Sequence, residues 1–223
     1  MRTALTIVAE RGRSPRIEAS GALAARITGH ATVHLISAAA TPLGGDHLEI
    51  ALRVGPGASL TVRSVAAALA LPGADELVST ARWRIEVDRD AELVLDPEPT
   101  VIAAAAVHRT MTQLELTSTS RVTVRERTQI GRAGEAGGQW SGALHADLDG
   151  VPLLRHRLEL GAGTVGHDAL DAPMAVLSEL VFPDDRPAVV ERYPGGGSWV
   201  RMPLAAGGSL GTRLGSSLAT VSP

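Results

Sequence analysis

Several stretches carry residue types at spacings that could do chemistry. Within RLELGAGTVGHDAL (157–170), Gly161-x-Gly163-x-x-Gly166 has the spacing of a dinucleotide-binding loop, whose glycines let the backbone approach a pyrophosphate at a helix N-terminus. GGSLG fits the nucleophile elbow G-x-S-x-G around Ser209. Seven histidines (30, 34, 47, 108, 145, 156 and 167) are scattered along the chain. In strand-like stretches His30 and His34 point the same way, as do His145 and Asp147. Either pair could hold a borderline divalent ion weakly, because imidazole and carboxylate suit nickel or zinc. QIGRAGEAGGQW (129–140) sets Arg132 and Glu135 three apart among glycines that permit tight backbone paths.

Context removes most of these options. The first strand of a dinucleotide fold is buried on both faces, whereas Arg155, Arg157 and Glu159 alternate here with Leu154, Leu158 and Leu160. Only 57 residues follow Gly166, too few for the remaining βαβ units. An NAD(P)-binding enzyme therefore stands as an alternative only, and a turn explains the glycines more simply. After Ser209 the chain has no Asp, Glu or His, so residue order excludes the esterase arrangement. All 21 basic residues are Arg, which rules out a lysine-dependent phosphate loop, and the absence of cysteine removes disulfides and thiol nucleophiles.

A net charge of -3, with no aromatic-studded basic stripe, argues against nucleic-acid binding. The apolar run in MRTALTIVAERGR is too short for a signal peptide, and no run of about 18 apolar residues exists to span a bilayer. The expectation is a cytoplasmic protein without membrane or nucleic-acid partners. Hydrophobic residues make up 44% of the chain and aromatics 2%, so Ala, Val, Leu and Ile must build the core. Such a core buries little area per residue, which predicts modest stability and help from partners.

The elements that must position these residues read mostly as strands. HLEIALRV places Leu48, Ile50, Leu52 and Val54 on one face, and RWRIEVD does the same with Trp83, Ile85 and Val87. TQLELT, SRVTVRER, GALHADLD and LLRHRLEL continue the alternation, which points to antiparallel sheets with one wet face. A repeat lies underneath. Val54-GPG-Ala58-Ser-Leu60, Val87-DRD-Ala91-Glu-Leu93 and Leu116-TST-Ser120-Arg-Val122 share a strand, a three-residue corner, a small residue and a second strand. Solenoid-like layers produce such a pattern, since each layer needs neighbours to bury its face.

Helix signals are confined to the last third. Asp171 is positioned to cap a helix with Pro173 in its first turn and Met174, Leu177, Leu180 and Val181 on one stripe. In the tail, Leu210, Leu214 and Leu218 have helical spacing, but interior Gly211 and Gly215 each cost roughly 1 kcal/mol relative to Ala. The expected architecture is mainly β: stacked antiparallel or solenoid-like sheets with one or two short helices in the C-terminal third. A single domain over 1–204 would be followed by a Gly-rich tail, 205–223, that orders on a partner through its leucines.

An ordered series of segments resembles the urease accessory protein family called UreD or UreH. LGGDHLEIALRVGPGASLTVRS (43–64) is similar to the family's Gly-Asp entrance to a strand, its Gly-x-Gly-Ala corner and its second strand. AELVLDPEP (91–99) resembles its strand ending in Asp-Pro, and TQIGRAGEAGGQW (128–140) its Gly-Arg…Gly-Glu loop. The resemblance implies a non-enzymatic maturation factor that binds UreF, reaches the GTPase UreG through it, and docks on the urease apoprotein. It also implies transient nickel passing through an internal channel, with no tightly bound cofactor. By the same analogy Asp46, Asp96, Arg132 and Glu135 line that path, support its loops or belong to a partner interface. One departure is VAAALALPG (65–73), where the family often carries a polar Thr- and Lys-containing stretch. A stand-alone β-solenoid binding module is the other alternative.

Overall fold

The computed structural model describes residues 1–193 and 196–221. The chain winds between two sheets. The first has seven strands in the order β14 (Val151–Leu160), β13 (Gln139–Leu148), β11 (Val107–Leu116), β8 (Val78–Val87), β5 (His47–Val54), β1 (Arg2–Ala9) and β2 (Arg16–Ser20). The second, of eleven, runs β16 (Val189–Arg192), β17 (Ser198–Pro203), β18 (Ser209–Gly215), β15 (Ala175–Phe182), β12 (Arg121–Ile130), β9 (Glu92–Leu95), β6 (Ser59–Ser64), β4 (Thr32–Ser37) and β3 (Leu23–Gly29). Two short strands, β7 (Ala68–Ala70) and β10 (Thr100–Ile102), pair with each other and join this sheet through β12. The helices are α1 (Val165–Ala169) and α2 (Leu218–Val221).

The repeat in the sequence is the stacking unit of the fold. Val54, Val87, Leu116 and Leu148 stand side by side in one sheet. Past the corner, Leu60, Leu93 and Val122 do the same in the other. The corners stack as well: the Asp88 N–H donates to the Val54 carbonyl, and the Asp149 N–H to that of Leu116, both at 2.9 Å. The small residues after the corners, Ala58, Ala91 and Ser120, are buried, because the turn leaves no room there for a long side chain. The core is aliphatic, with Leu52, Leu60, Ile85, Leu93 and Leu114 enclosed between the sheets.

In the stacked layers the structure replaces the antiparallel expectation. Strands β1, β5, β8, β11 and β13 are mutually parallel, as are β4, β6, β9 and β12. Antiparallel pairing begins at the ends of the stack, where β14, β15 and β3 fold back. Parallel strands usually read as unbroken apolar runs because helices cover both faces. Here the second sheet makes each return crossing, so the outer face stays wet and the alternation survives.

The helix expected after Asp171 is a strand, β15. Asp171 and Ala172 take positive φ values of 61° and 51°, which cannot start a right-handed helix. Val176, Leu180 and Phe182 face the interior, while Ala175 and Leu177 pack on Leu218 and Val221 of α2. Burial of both faces mimics a helical stripe.

The helical reading of Leu210 and Leu214 is corrected likewise. They lie on β18, paired to β15, and are buried in the chain's own core, leaving no exposed leucine stripe. Gly211 leaves room for the Trp199 ring, which a Cβ there would approach to 2.5 Å. Removing residues 209–221 deletes β18 from the sheet and the α2 turn that packs on β15. The truncated chain is expected to lose cooperative thermal unfolding and to become insoluble; a wild-type melt for it would show that this segment is dispensable for folding.

Candidate functional site

Between the two sheets lies a cavity of about 310 Å³. Its position follows from breaks in the second sheet. Strand β12 runs unbroken from 121 to 130, pairing β9 at its start and β10 at its end. Between β9 and β10 comes Asp96-Pro97-Glu98-Pro99, and the prolines can donate no ladder hydrogen bonds. In the layer above, Val65, Ala66 and Ala67 separate β6 from β7 in the same way. These exposed residues and Glu98 form the mouth. The departure noted at 65–73 therefore falls partly at the mouth, where alanine and valine side chains offer no ligating atom.

The walls are set by alternation. On β12 the inward row is Val122, Val124, Glu126, Thr128 and Ile130, so a carboxyl stands where the pattern calls for an apolar group. Facing it on β11 the inward row begins with His108, Thr110 and Thr112 before turning to leucine. The Thr110 hydroxyl donates to Glu126 Oε1 at 2.6 Å. Trp83, Leu144, His156 and Leu158 complete the opposite wall. The buried indole N–H of Trp140 has no partner. That indole lies over Gly142, where a Cβ would come within 2.1 Å of it.

Burial pushes the Glu126 carboxyl up to about 7, against the lowering effect of the Thr110 hydroxyl. His108 goes the other way: burial brings it down to about 4, and its Nδ1 lies 2.8 Å from the Ser79 hydroxyl. Burial also lowers His156. The flanking arginines point outward from β12. Arg125 binds Asp96 at 3.1 Å and Glu179 at 2.6 Å, and Arg127 binds Asp96 at 2.6 Å and the Pro97 carbonyl at 2.8 Å. Both arginines belong to the cavity's rim, and their guanidiniums are engaged by these partners.

The residues singled out from sequence lie elsewhere, and none of Asp46, Asp96, Arg132 and Glu135 lines the cavity. Asp46, buried before β5, accepts from the Met1 amino group at 2.8 Å and from the Thr41 hydroxyl and Leu43 N–H at 2.9 Å. Burial opposes its charge, but these donors outweigh it and hold the carboxyl below the usual range. Asp96 clamps Arg125 and Arg127 beside the mouth. Arg132 and Glu135 tie the β12–β13 loop together: the carboxylate takes the guanidinium, the Arg132 N–H at 3.2 Å and the Ala104 N–H at 3.3 Å. The Arg132 guanidinium, chiefly, brings Glu135 down to about 2.

The weaker candidates do not converge. His34 contacts the Thr28 hydroxyl at 2.7 Å, His30 is exposed in the β3–β4 turn, and Asp147 pairs with Arg155 on the outer sheet face beside His145. Among the described residues no group of three His, Cys, Asp or Glu is placed to hold a metal ion.

The Gly161–Gly166 motif turns a corner. A Cβ on Gly161 would sit 2.2 Å from the Gly138 carbonyl, its N–H points to His167 Nδ1 at 3.3 Å, and the helix that follows has five residues. This packing fills the space beside Gly161, and among the described residues no βαβ unit surrounds the motif. Ser209, buried, donates to Asp184, whose carboxylate is gripped by Arg186.

Residues 15–189 match the family described as UreD urease accessory protein. The chain belongs to the UreD family. The urease accessory protein UreD 1 of Saccharopolyspora erythraea is 36% identical over 195 residues, covering 86% of this chain and 75% of that protein. UreD of Frankia alni is 41% identical over 169 residues, covering 67% and 57%, and UreD of Streptomyces coelicolor 38% over 156 residues, covering 68% and 61%. The chain thus spans under two thirds of the length of the latter two. No described helix is long and apolar enough to cross a membrane.

Two measurements test this geometry. Between pH 4.5 and about 7 the folded chain keeps a proton on Glu126 that the unfolded chain has released, so this residue lowers stability as pH rises through that window. His108 acts oppositely: the unfolded chain takes up a proton below about 6.5 and the folded one only near 4, so its contribution rises with pH there. Glu126→Gln should therefore melt above wild type at high pH and close to it near pH 4.5; a wild-type advantage at high pH contradicts the neutral carboxyl. Glu135→Ala should speed amide hydrogen exchange at Arg132 and Ala104 while leaving the melting temperature nearly unchanged.

Proposed function

We propose that this chain is a urease maturation factor, a scaffold and conduit that performs no catalysis itself. In this reading it links the nickel-delivering accessory proteins, UreF and through it UreG, to the urease apoprotein in the cytoplasm. Nickel is cargo, passing through without a resident site. Membership of the UreD family supports the maturation role. The observation that carries the conduit is the polar inward row, His108, Thr110 and Thr112 on β11 opposite Glu126 on β12, set in a largely apolar interior.

A passage for a divalent cation needs spaced oxygen donors and room for water, because a tight cage would retain the ion. Two carboxyls (Glu126 inside and Glu98 at the mouth), several hydroxyls and two imidazoles along a cavity meet that requirement. The clamps at Asp46, Asp96 and Arg132–Glu135 then support the walls and the loops around them.

The test is nickel content of urease purified from a host lacking this gene, grown with limiting nickel and complemented in turn by wild type and by Glu126→Leu. Wild type should restore loading, and the variant should fall several-fold short while still co-purifying with UreF. Full nickel in the deletion host would remove the function. Full loading by the variant would remove the cavity from it.

A further inference from the structure

We infer that Glu126 is a proton-for-cation exchange site: a divalent cation entering the cavity binds the ionised carboxyl as its proton leaves to water, and the proton returns when the ion departs. This rests on the cation-passage reading of the cavity.

The geometry leaves the carboxyl without a counter-charge. Its neighbours on β12, Arg125 and Arg127, reach the cavity's rim, but their guanidiniums are paired with Asp96 and Glu179 and form no ion pair with Glu126. On β15, Ser178 lies opposite it and is neutral, while Glu179 beside it is bound to Arg125. From β11 come the Thr110 hydroxyl and His108, which burial keeps neutral above about pH 4. From β14 comes His156, whose charged form burial also disfavours. The mouth adds Glu98, a second acid. A half-buried carboxyl in such surroundings takes a proton in preference to standing ionised and unpaired.

The exchange makes entry less costly. If a doubly charged ion entered beside a neutral carboxyl and the proton stayed, the enclosed charge would rise by two. When the proton leaves, it rises by one, and the ion gains an anionic oxygen ligand. Carboxylic acid and aqueous M²⁺ give the carboxylate-bound ion and H⁺; no electron moves and no other reactant is needed. The reverse step supplies release, since reprotonation withdraws the ligand. The Thr110 hydroxyl tunes the balance, because its hydrogen bond favours the ionised oxygen.

The experiment mixes the full chain with nickel chloride alone in weakly buffered solution, reading proton release with an indicator dye and bound nickel by equilibrium dialysis. Wild type should release about one more proton per bound ion than Glu126→Gln near pH 6, the difference vanishing well above pH 7, where the carboxyl is already ionised. Thermal melts confirm that Glu126→Gln is folded. Thr110→Val, which removes the hydroxyl donor, should carry the release to higher pH. Equal release by wild type and Glu126→Gln, no nickel uptake by wild type, or an unmoved Thr110→Val profile would overturn the exchange. Should the exchange fail while the deletion host still makes nickel-poor urease, the maturation function stands without it. Should the exchange appear while that host loads urease fully, Glu126 is a cation site with a different purpose.

Discussion

Everything in this molecule depends on in-register stacking of its parallel layers. One layer is two short strands and a corner, with an inward face too small to exclude water alone. Only when Val54, Val87, Leu116 and Leu148 line up in one sheet, and Leu60, Leu93 and Val122 in the other, does an aliphatic core close. A slip of one residue would turn every inward side chain outward. The three-residue corners prevent that slip, because each is hydrogen-bonded to the corner of the next layer and followed by a residue small enough to be buried. With so few aromatic residues available, register substitutes for bulk.

The same rule that makes the core makes the cavity. Strict alternation assigns each position to the inside or the outside, so a polar residue in an inward row is enclosed with no freedom to swing away. The DPEP segment breaks the second sheet beside the middle of β12, and Glu126 falls at that break. Thr110 opposite it satisfies one carboxyl oxygen without neutralising the group, whereas an arginine in that row would have closed the space with an ion pair. The cavity is thus a consequence of three local choices: prolines that interrupt a ladder, a carboxyl at an apolar position and hydroxyls across from it.

Much of this was legible in the residue pattern. The faces of 47–54 and 83–87 and the three aligned corners followed from period-two alternation and spacing, because stacking imposes the same constraint on every layer. Strand direction was not legible: alternation reports a wet outer face, and here a second sheet, in place of helices, leaves parallel strands wet. The stretch 174–182 reads as helical because α2 covers its outer face while its inner face meets the core, and the tail because Leu210, Leu214 and Leu218 have helical spacing, although Gly211 serves there as room for Trp199 on a strand. At the site, the sequence motifs led to Asp46, Asp96, Arg132 and Glu135, residues that hold turns and loops. The overlooked signal was simpler. VTVRERTQI places Glu126 on the face of Val122, Val124 and Ile130, and VHRTMTQLEL places His108, Thr110 and Thr112 on that of Leu114 and Leu116. A polar residue in phase with an apolar row marks a cavity better than a glycine-rich loop does.

Charge distribution shows why that position differs from the acids around it. Register stacks carboxylates as readily as leucines: Glu86, Glu115 and Asp147 stand in one row on the outer face of the first sheet. There Arg53 approaches Glu86 at 3.6 Å and Arg155 binds Asp147, and the face is open to water. Asp46, Asp96, Glu135 and Asp184 are each gripped by a cationic group at short range. A carboxylate with its own cation has little to offer an arriving one, which must first displace an arginine or an amine. Glu126 has no such competitor. Its competitor is a proton, held by burial and released by the arrival of charge, and that makes it responsive to a passing ion where the better-paired acids are not.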